Sequence, residues 1–411
     1  MANRRGNIRL DDIIVPSVSL RWLVASILFM FLAPVFLIFL VLRCEKNQCM
    51  LLQLPMVIPT LPNVYFSMFS FYVVIGYILI VLLLAITHVP AVSYTENQAF
   101  SSMVTCVTVL LVTYYLNPSL IKLLHSEYLR LLCVTTVLCY FLSFVFYILG
   151  RIGISTKDRD FSWPAAIFYG NTISIKIGDL DLKYFFYVYA GMIGWVLLDM
   201  IIFLNMIMEH KWNSSVIFLT ITQSIFIAYT LYNEQFMQRK PFVKYVGLGF
   251  LWLMRVLMFL PFLHSLPVYF AATTEIRLPK PLILLAYILY LFGLIMYISC
   301  TQQKEGFQNE KLIQKAIRTV SVGASSGKRF LVSGYWGIVQ KPDYVAYMII
   351  WFSWTMACGL SNLSVIILLL MYGSVLVWLQ QTTYYKQHTM GNNVWDKYET
   401  AVPKKLIPFI Y

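Results

Sequence analysis

Apolar residues along this chain come in long, nearly unbroken runs, and polar residues gather in the gaps between them. A helix needs roughly 20 such residues to cross about 30 Å of hydrocarbon. Runs of that order predict helices over 22–42, 64–86, 100–116, 130–149, 188–208, 213–232, 244–270, 281–300, 344–359 and 361–380, about ten in all. Gly359 and Asn362 interrupt the last stretch, so its division into two spans rests on them. Inside lipid the backbone has no water to bond to, which selects helix. The expected fold is therefore an all-α integral membrane protein. A short basic N-terminus occupies 1–21, four helices occupy 22–150, and residues 151–411 carry the rest.

Composition agrees with this reading. The 411 residues are 60% hydrophobic, 16% aromatic and 12% charged, with a mean hydropathy of +0.73. No single soluble core absorbs that much apolar surface. The first run follows Arg4, Arg5, Arg9 and Arg21 and is too long for a cleaved leader, so it is read as an anchor. With ten spans, about 23 of the 31 Lys and Arg fall on the side of the termini and about 7 opposite. Both termini are then expected in the cytosol. The net charge of +13 is accounted for by this bias and by anionic lipid, and no direct nucleic-acid binding is expected. The seven cysteines show no metal-ligand spacing, so no metal site is expected. Cys44 and Cys49 share one expected lumenal loop and are open to pairing or to remaining thiols.

Four polar stretches, 151–186, 233–243, 301–343 and 381–411, fall on the expected cytosolic side. Within the third, Leu312, Ile313, Lys311, Lys315 and Arg318 suggest a short surface amphipathic helix. Ser321 to Lys328 lacks the frame of a phosphate loop and reads as a turn. Asn213-Ser-Ser and Asn362-Leu-Ser match a glycosylation pattern but abut apolar spans, where glycosylation is not expected.

The densest chemistry lies in Ser333-Gly-Tyr-Trp-Gly-Ile-Val-Gln-Lys-Pro-Asp-Tyr344, at the mouth of a span, where polar groups are costly unless used. It resembles the motif S-G-W-W-G-x-x-R-H-x-N-Y-x-G-D of the ergosterol-type sterol reductases, a family spanning the sterol C14, C7 and C24(28) reductases and the sterol-reductase domain of the lamin B receptor. Trp336, Gly337 and Tyr344 match, while Gln340, Lys341, Asp343, Ala346 and Tyr347 replace Arg, His, Asn, Gly and Asp. Further segments resemble the family in order: Gly170 to Gly178, Asp181 to Phe185, Gly191 to Trp195, Tyr232-Asn-Glu234, Gly247 to Phe250, Leu260 to Tyr269, Gln303 to Gln308, and Gly391 through Tyr398 to Tyr411.

The resemblance implies the sterol reductase fold, a sterol ligand and NADPH as cofactor, with both pockets in 151–411. It places Lys304, Gln308, Trp336, Gln340, Lys341, Trp395 and Tyr398 at the cofactor, and Tyr232, Phe250, Arg255 and Tyr269 at the sterol. Asp343, Tyr344 and Glu234 are the candidate acids for protonating a double bond. Each has a plainer reading too: a helix N-cap for Asp343, a membrane-boundary anchor for Tyr344, and an ion pair with Arg239 or Lys240 for Glu234. Gln308 and Gln340 stand where the family has phosphate-binding arginines, and a planar guanidinium fork grips phosphate where an amide does not. Two functions follow. One is a sterol-binding relative of the lamin B receptor and the C14 reductases with reduction weakened or lost; the other is an active NADPH-dependent C14 or C7 reductase. The resemblance further implies the endoplasmic reticulum or inner nuclear membrane, surrounding lipid, and nuclear-envelope partners. About twenty residues precede the first span, so the receptor's chromatin-binding module is not expected.

Overall fold

The computed structural model describes residues 20–406 except 46–61, 88–97, 153–160, 162, 179, 239–242, 244–245, 275–277, 309–318, 322–328, 360–361 and 391. The loop at Cys49, where pairing with Cys44 stays open, the amphipathic segment and the interior of the 321–328 turn lie outside it. The chain divides into two compact units, 1–277 and 278–411.

In the first unit the helices are α1 (Leu20–Glu45), α2 (Met68–Thr87), α3 (Gln98–Leu116), α4 (Pro118–Ser126), α5 (Tyr128–Ile152), α6 (Trp163–Tyr169), α7 (Leu182–Met208), α8 (Ser214–Tyr232), α9 (Glu234–Gln238) and α10 (Phe250–Thr273). A two-residue antiparallel pair, β1 (Lys176–Ile177) and β2 (Leu180–Asp181), precedes α7. The second unit holds α11 (Lys280–Gln308), the hairpin β3 (Thr319–Ser321) and β4 (Arg329–Leu331), α12 (Tyr335–Ile338), α13 (Pro342–Ala357), α14 (Asn362–Met390) and α15 (Asn392–Ala401).

Among the described residues nine helices are long and apolar enough to cross a membrane. The tenth expected span is α13, whose 16 residues reach about 24 Å at 1.5 Å per residue. It stops at Ala357 because the chain turns at Gly359, which has φ +70°. Starts follow the capping rules. Pro118 and Pro342 open α4 and α13, Asp181 accepts from Lys183 N at 2.9 Å to open α7, and Asn213 accepts from Ser215 N at 2.9 Å to open α8. Asn213 Nδ2 also donates to Ala271 O at 3.0 Å, so this buried amide is committed within the fold.

Two features are not readable from periodicity. Residues Phe186–Met192 of α7 and Met254–Leu263 of α10 are π-helical, and the two wide turns pack together. A Cβ on Gly191 would lie 2.5 Å from Val256 O. Pro261, inside the second π turn, has no N–H to give to the ladder. The other feature is a polar hub at the start of α5. Ser67 Oγ and Ser70 Oγ each donate to Glu127 Oε2 at 2.6 Å, Arg130 pairs with Oε1, and Arg130 Nε reaches Asn63 O at 2.8 Å.

Burial pushes the Glu127 carboxyl up, but the hydroxyls and Arg130 outweigh it and hold the group below its ordinary value of 4.5. A depressed carboxyl lends stability that is complete above the unfolded value and fades as pH falls through the folded one. Glu127→Gln is expected to cost about 1–3 kcal/mol at neutral pH and to flatten the fall in melting temperature below pH 4.5. Melting curves in detergent across the acid range check it.

Candidate functional site

The motif residues of the second unit come together around α12. Trp336 is 3% exposed and donates its indole N–H to Cys300 O at 3.0 Å. Lys304, one turn further along α11, sets its Nζ 5.0 Å from the centre of the Trp336 ring. Gln303 lies over Gly334, whose added Cβ would meet Gln303 Oε1 at 2.8 Å. Gln340 donates Nε2 to Val402 O at 2.9 Å and its backbone N–H to Lys404 O at 2.8 Å, strapping the C-terminal segment to the junction of α12 and α13. Lys341, also buried, rests over the Tyr344 ring at 5.2 Å. Phe330 of β4 stacks on Tyr398 at 4.5 Å, with Trp395 5.4 Å from Tyr398. Tyr344 Oη lies 3.3 Å from Thr382 Oγ1. Burial pushes the Tyr398 phenol up and the Asp343 carboxylate pushes it the same way, which sets Asp343 beside this cluster. Gln308 ends α11, and its side chain lies outside the described residues.

Asp343 does not cap α13. Lys341 holds the cap position without a side-chain bond, Pro342 is the first helical residue, and Asp343 sits inside the first turn. There the helix dipole still favours an anion, but Asp343 Oδ1 is buried with no hydrogen-bond partner.

Those orphaned atoms test the fit of a phosphate. Gln303 Oε1, Gln340 Oε1 and Asp343 Oδ1 are buried without partners, and all three are acceptors. The bond from Gln340 Nε2 to Val402 O fixes its amide orientation. A phosphate dianion needs donors and fixed positive charge; Lys304 and Lys341 supply point charges without the bidentate fork of a guanidinium, and the spare acceptor oxygens oppose an anion. The described residues do not fit an adenosine 2′-phosphate.

The four residues expected at a sterol all lie in the first unit, Tyr232 at the end of α8 and Phe250, Arg255 and Tyr269 on α10. Phe250 is fully buried and stacks on Tyr140 at 4.7 Å. Tyr269 is 4% exposed and stacks on Tyr128 at 4.3 Å. Tyr232 is 55% exposed at the end of α8, edge-on to Phe100 at 5.8 Å, and Arg255 sits half-buried in the π turn of α10. Glu234 accepts from Tyr184 Oη at 2.9 Å and from Gln98 N at 3.2 Å, closing the N-terminus of α3. Burial raises its carboxyl, against the pull of those donors. Arg239 and Lys240, the expected ion-pair partners, lie outside the described residues.

One cluster went unread in the sequence. Trp195 Nε1 donates to Gln223 Oε1 at 2.6 Å, and the Trp195 ring packs 4.5 Å from His264, whose Nδ1 lies 2.9 Å from Phe259 O. One turn beyond, Asp199 is fully buried, and neither carboxylate oxygen has a hydrogen-bond partner in good geometry, the facing indole being engaged with Gln223. The signal was a lone acid inside the apolar run Leu197 to Leu204, costly enough in a membrane to mark a site.

A multi-span helical membrane protein with aromatic and lysine residues gathered at one end of its late helices is the class these features define. Residues 15–411 match the model of the ergosterol biosynthesis ERG4/ERG24 family, and the chain belongs to that family. It is 22% identical over 400 residues to Delta(14)-sterol reductase LBR of Gallus gallus, covering 92% of this chain and 62% of that protein. It is 25% identical over 246 residues to Delta(14)-sterol reductase TM7SF2 of Mus musculus, covering 59% of each. With Delta(14)-sterol reductase ERG24 of Candida albicans it shares 26% identity over 320 residues, 72% of this chain and 69% of the other. The chain thus spans about three fifths of the length of the chicken and mouse relatives.

Proposed function

We propose that this protein is a sterol-binding member of its family in which NADPH-dependent reduction is weakened or lost, resident in the endoplasmic reticulum and nuclear envelope with both termini cytosolic. Family membership over 15–411 and the Delta(14)-sterol reductases among its relatives support the sterol. The family uses NADPH. What carries the loss is the ring of buried, partnerless acceptors at Gln303, Gln340 and Asp343, beside a Gln340 committed to the C-terminal strap.

The second reading, an active C14 or C7 reductase, draws on Lys304 and Lys341 as remaining point charges within the same cluster. NADPH fluorescence titration of detergent-purified protein separates the two. The first reading expects no saturation at physiological cofactor concentration, and micromolar saturation supports the second.

A further inference from the structure

A separate cavity of 240 Å³, lined by polar and apolar groups alike, opens where α4, α7 and α10 end and α8 begins, at the end of α8 away from Glu234. His125, Asn205, Glu209, Lys211, Trp212 and Asn213 are among its lining residues. The mouth is built by the end of α7. His210 takes a left-handed conformation, φ 54°, and turns the chain so that Lys211 N reaches back to Met206 O at 3.2 Å. That turn brings Lys211 Nζ to 3.5 Å from Glu209 Oε2.

Asn205 supplies the observation that points to a ligand. It is 5% exposed, its Nδ2 donates to Glu209 Oε1 at 3.4 Å, and its Oδ1 is buried without a partner. A cavity with an unmet acceptor beside a carboxylate wants an N–H donor with positive charge. Lys211 on the same rim offers a cation to an anionic group. Trp212, 64% exposed, is the residue type that sits at the headgroup level of a bilayer. The volume falls below the roughly 300–1,000 Å³ of sites for drug-sized ligands, a size that suits a polar headgroup.

We propose that this cavity seats the headgroup of a phospholipid carrying a primary ammonium and a phosphate, of the phosphatidylethanolamine type. The ammonium donates to Asn205 Oδ1 and Glu209, and the phosphate lies beside Lys211. A quaternary ammonium has no N–H to give Asn205, so choline lipids bind more weakly. This site shares no residue with the sterol and cofactor assignments above.

The test is native mass spectrometry of the full chain taken from nanodiscs of phosphatidylethanolamine, phosphatidylcholine or phosphatidylglycerol. Retention of the ethanolamine lipid is expected to exceed the other two by about tenfold or more, the effect of one charge-assisted hydrogen bond. Glu209→Gln and Asn205→Leu should each remove that preference, while Lys211→Gln lowers retention of both phosphate zwitterions. The melting temperature in detergent, with and without added lipid, gives a second readout that does not depend on the variants flying intact. Equal retention of choline and ethanolamine lipids, or unchanged preference in Glu209→Gln, overturns the proposal. Soluble phosphoethanolamine competing as tightly as the lipid would overturn the lipid source in favour of a free zwitterion.

Discussion

Gly170→Ala is expected to leave little folded protein in detergent. Gly170 has φ +82°, and a Cβ there would lie 2.5 Å from Leu248 C, 2.6 Å from Leu248 N and 2.8 Å from Gly249 N. These are backbone atoms with no rotamer to escape into. The crowding is mutual, since a Cβ on Gly247 would stand 2.3 Å from Tyr169 O and one on Gly249 2.4 Å from Gly170 N. Separating the strands of chain breaks the bond from Leu248 N to Thr172 O at 2.8 Å and moves the fully buried Phe250 that follows. The left-handed conformation alone costs an alanine about 1–2 kcal/mol, and the overlaps raise the loss to about 3 kcal/mol or more. Gly76→Ala is the control. Its Cβ meets nothing within 4 Å, and in helix α2 the change should be neutral or stabilising. Size-exclusion profiles and melting curves compare the two; a Gly170→Ala protein that melts with the wild type refutes the interlock.

The second large effect is a gain. Gln308→Arg together with Gln340→Arg restores the residue type that the family motif carries at both positions, and NADPH affinity is expected to rise about 10²- to 10⁴-fold. That range follows from two charge-assisted bonds at about 1.5–3 kcal/mol each and 1.4 kcal/mol per decade. An arginine at 340 keeps an N–H for Val402 O, so the strap survives while the remaining donors offset the orphaned oxygens nearby. Gln308→Arg alone should capture part of the gain without touching the strap. Fluorescence titration of NADPH reads both variants. An unchanged affinity in the double variant means that the cluster is no longer shaped for a nucleotide.

Much of the architecture was legible because lipid imposes a length rule on helices. The run at 130–149 became α5 at Tyr128–Ile152, and the run at 213–232 became α8 at Ser214–Tyr232. The interruption at Gly359 and Asn362 separates α13 from α14, and α13 falls short of a full span. Hydropathy says nothing about hydrogen-bond register, which is why the π turns of α7 and α10 were invisible until Gly191 met Val256. The glycines of the Gly170 and Gly247 segments were readable as motifs, but their meaning as a backbone interlock needed coordinates.

The site divides the same way. Trp336, Gln340, Lys341, Tyr344, Trp395 and Tyr398 were named from their order in the chain; folding seats Lys304 on Trp336, Lys341 on Tyr344, and Trp395 with Tyr398 in neighbouring groups of the second unit. Asp343 as a helix cap was a local inference defeated by the register of Pro342. Phe250 and Tyr269 pack into aromatic stacks with Tyr140 and Tyr128, neighbours that the order of residues in the chain does not reveal. Asp199 is a lone acid whose signal is averaged away when hydropathy is read over a whole span.

The proposal is a sterol held while its reduction is weakened or lost. The direct measurement is the mass of the sterol that stays bound when the purified chain is loaded with a Δ14 sterol and incubated with NADPH. The account predicts that the sterol is retained at its original mass. Complete NADPH-dependent conversion to a sterol heavier by one hydrogen molecule, within the turnover time of a working reductase, would contradict it.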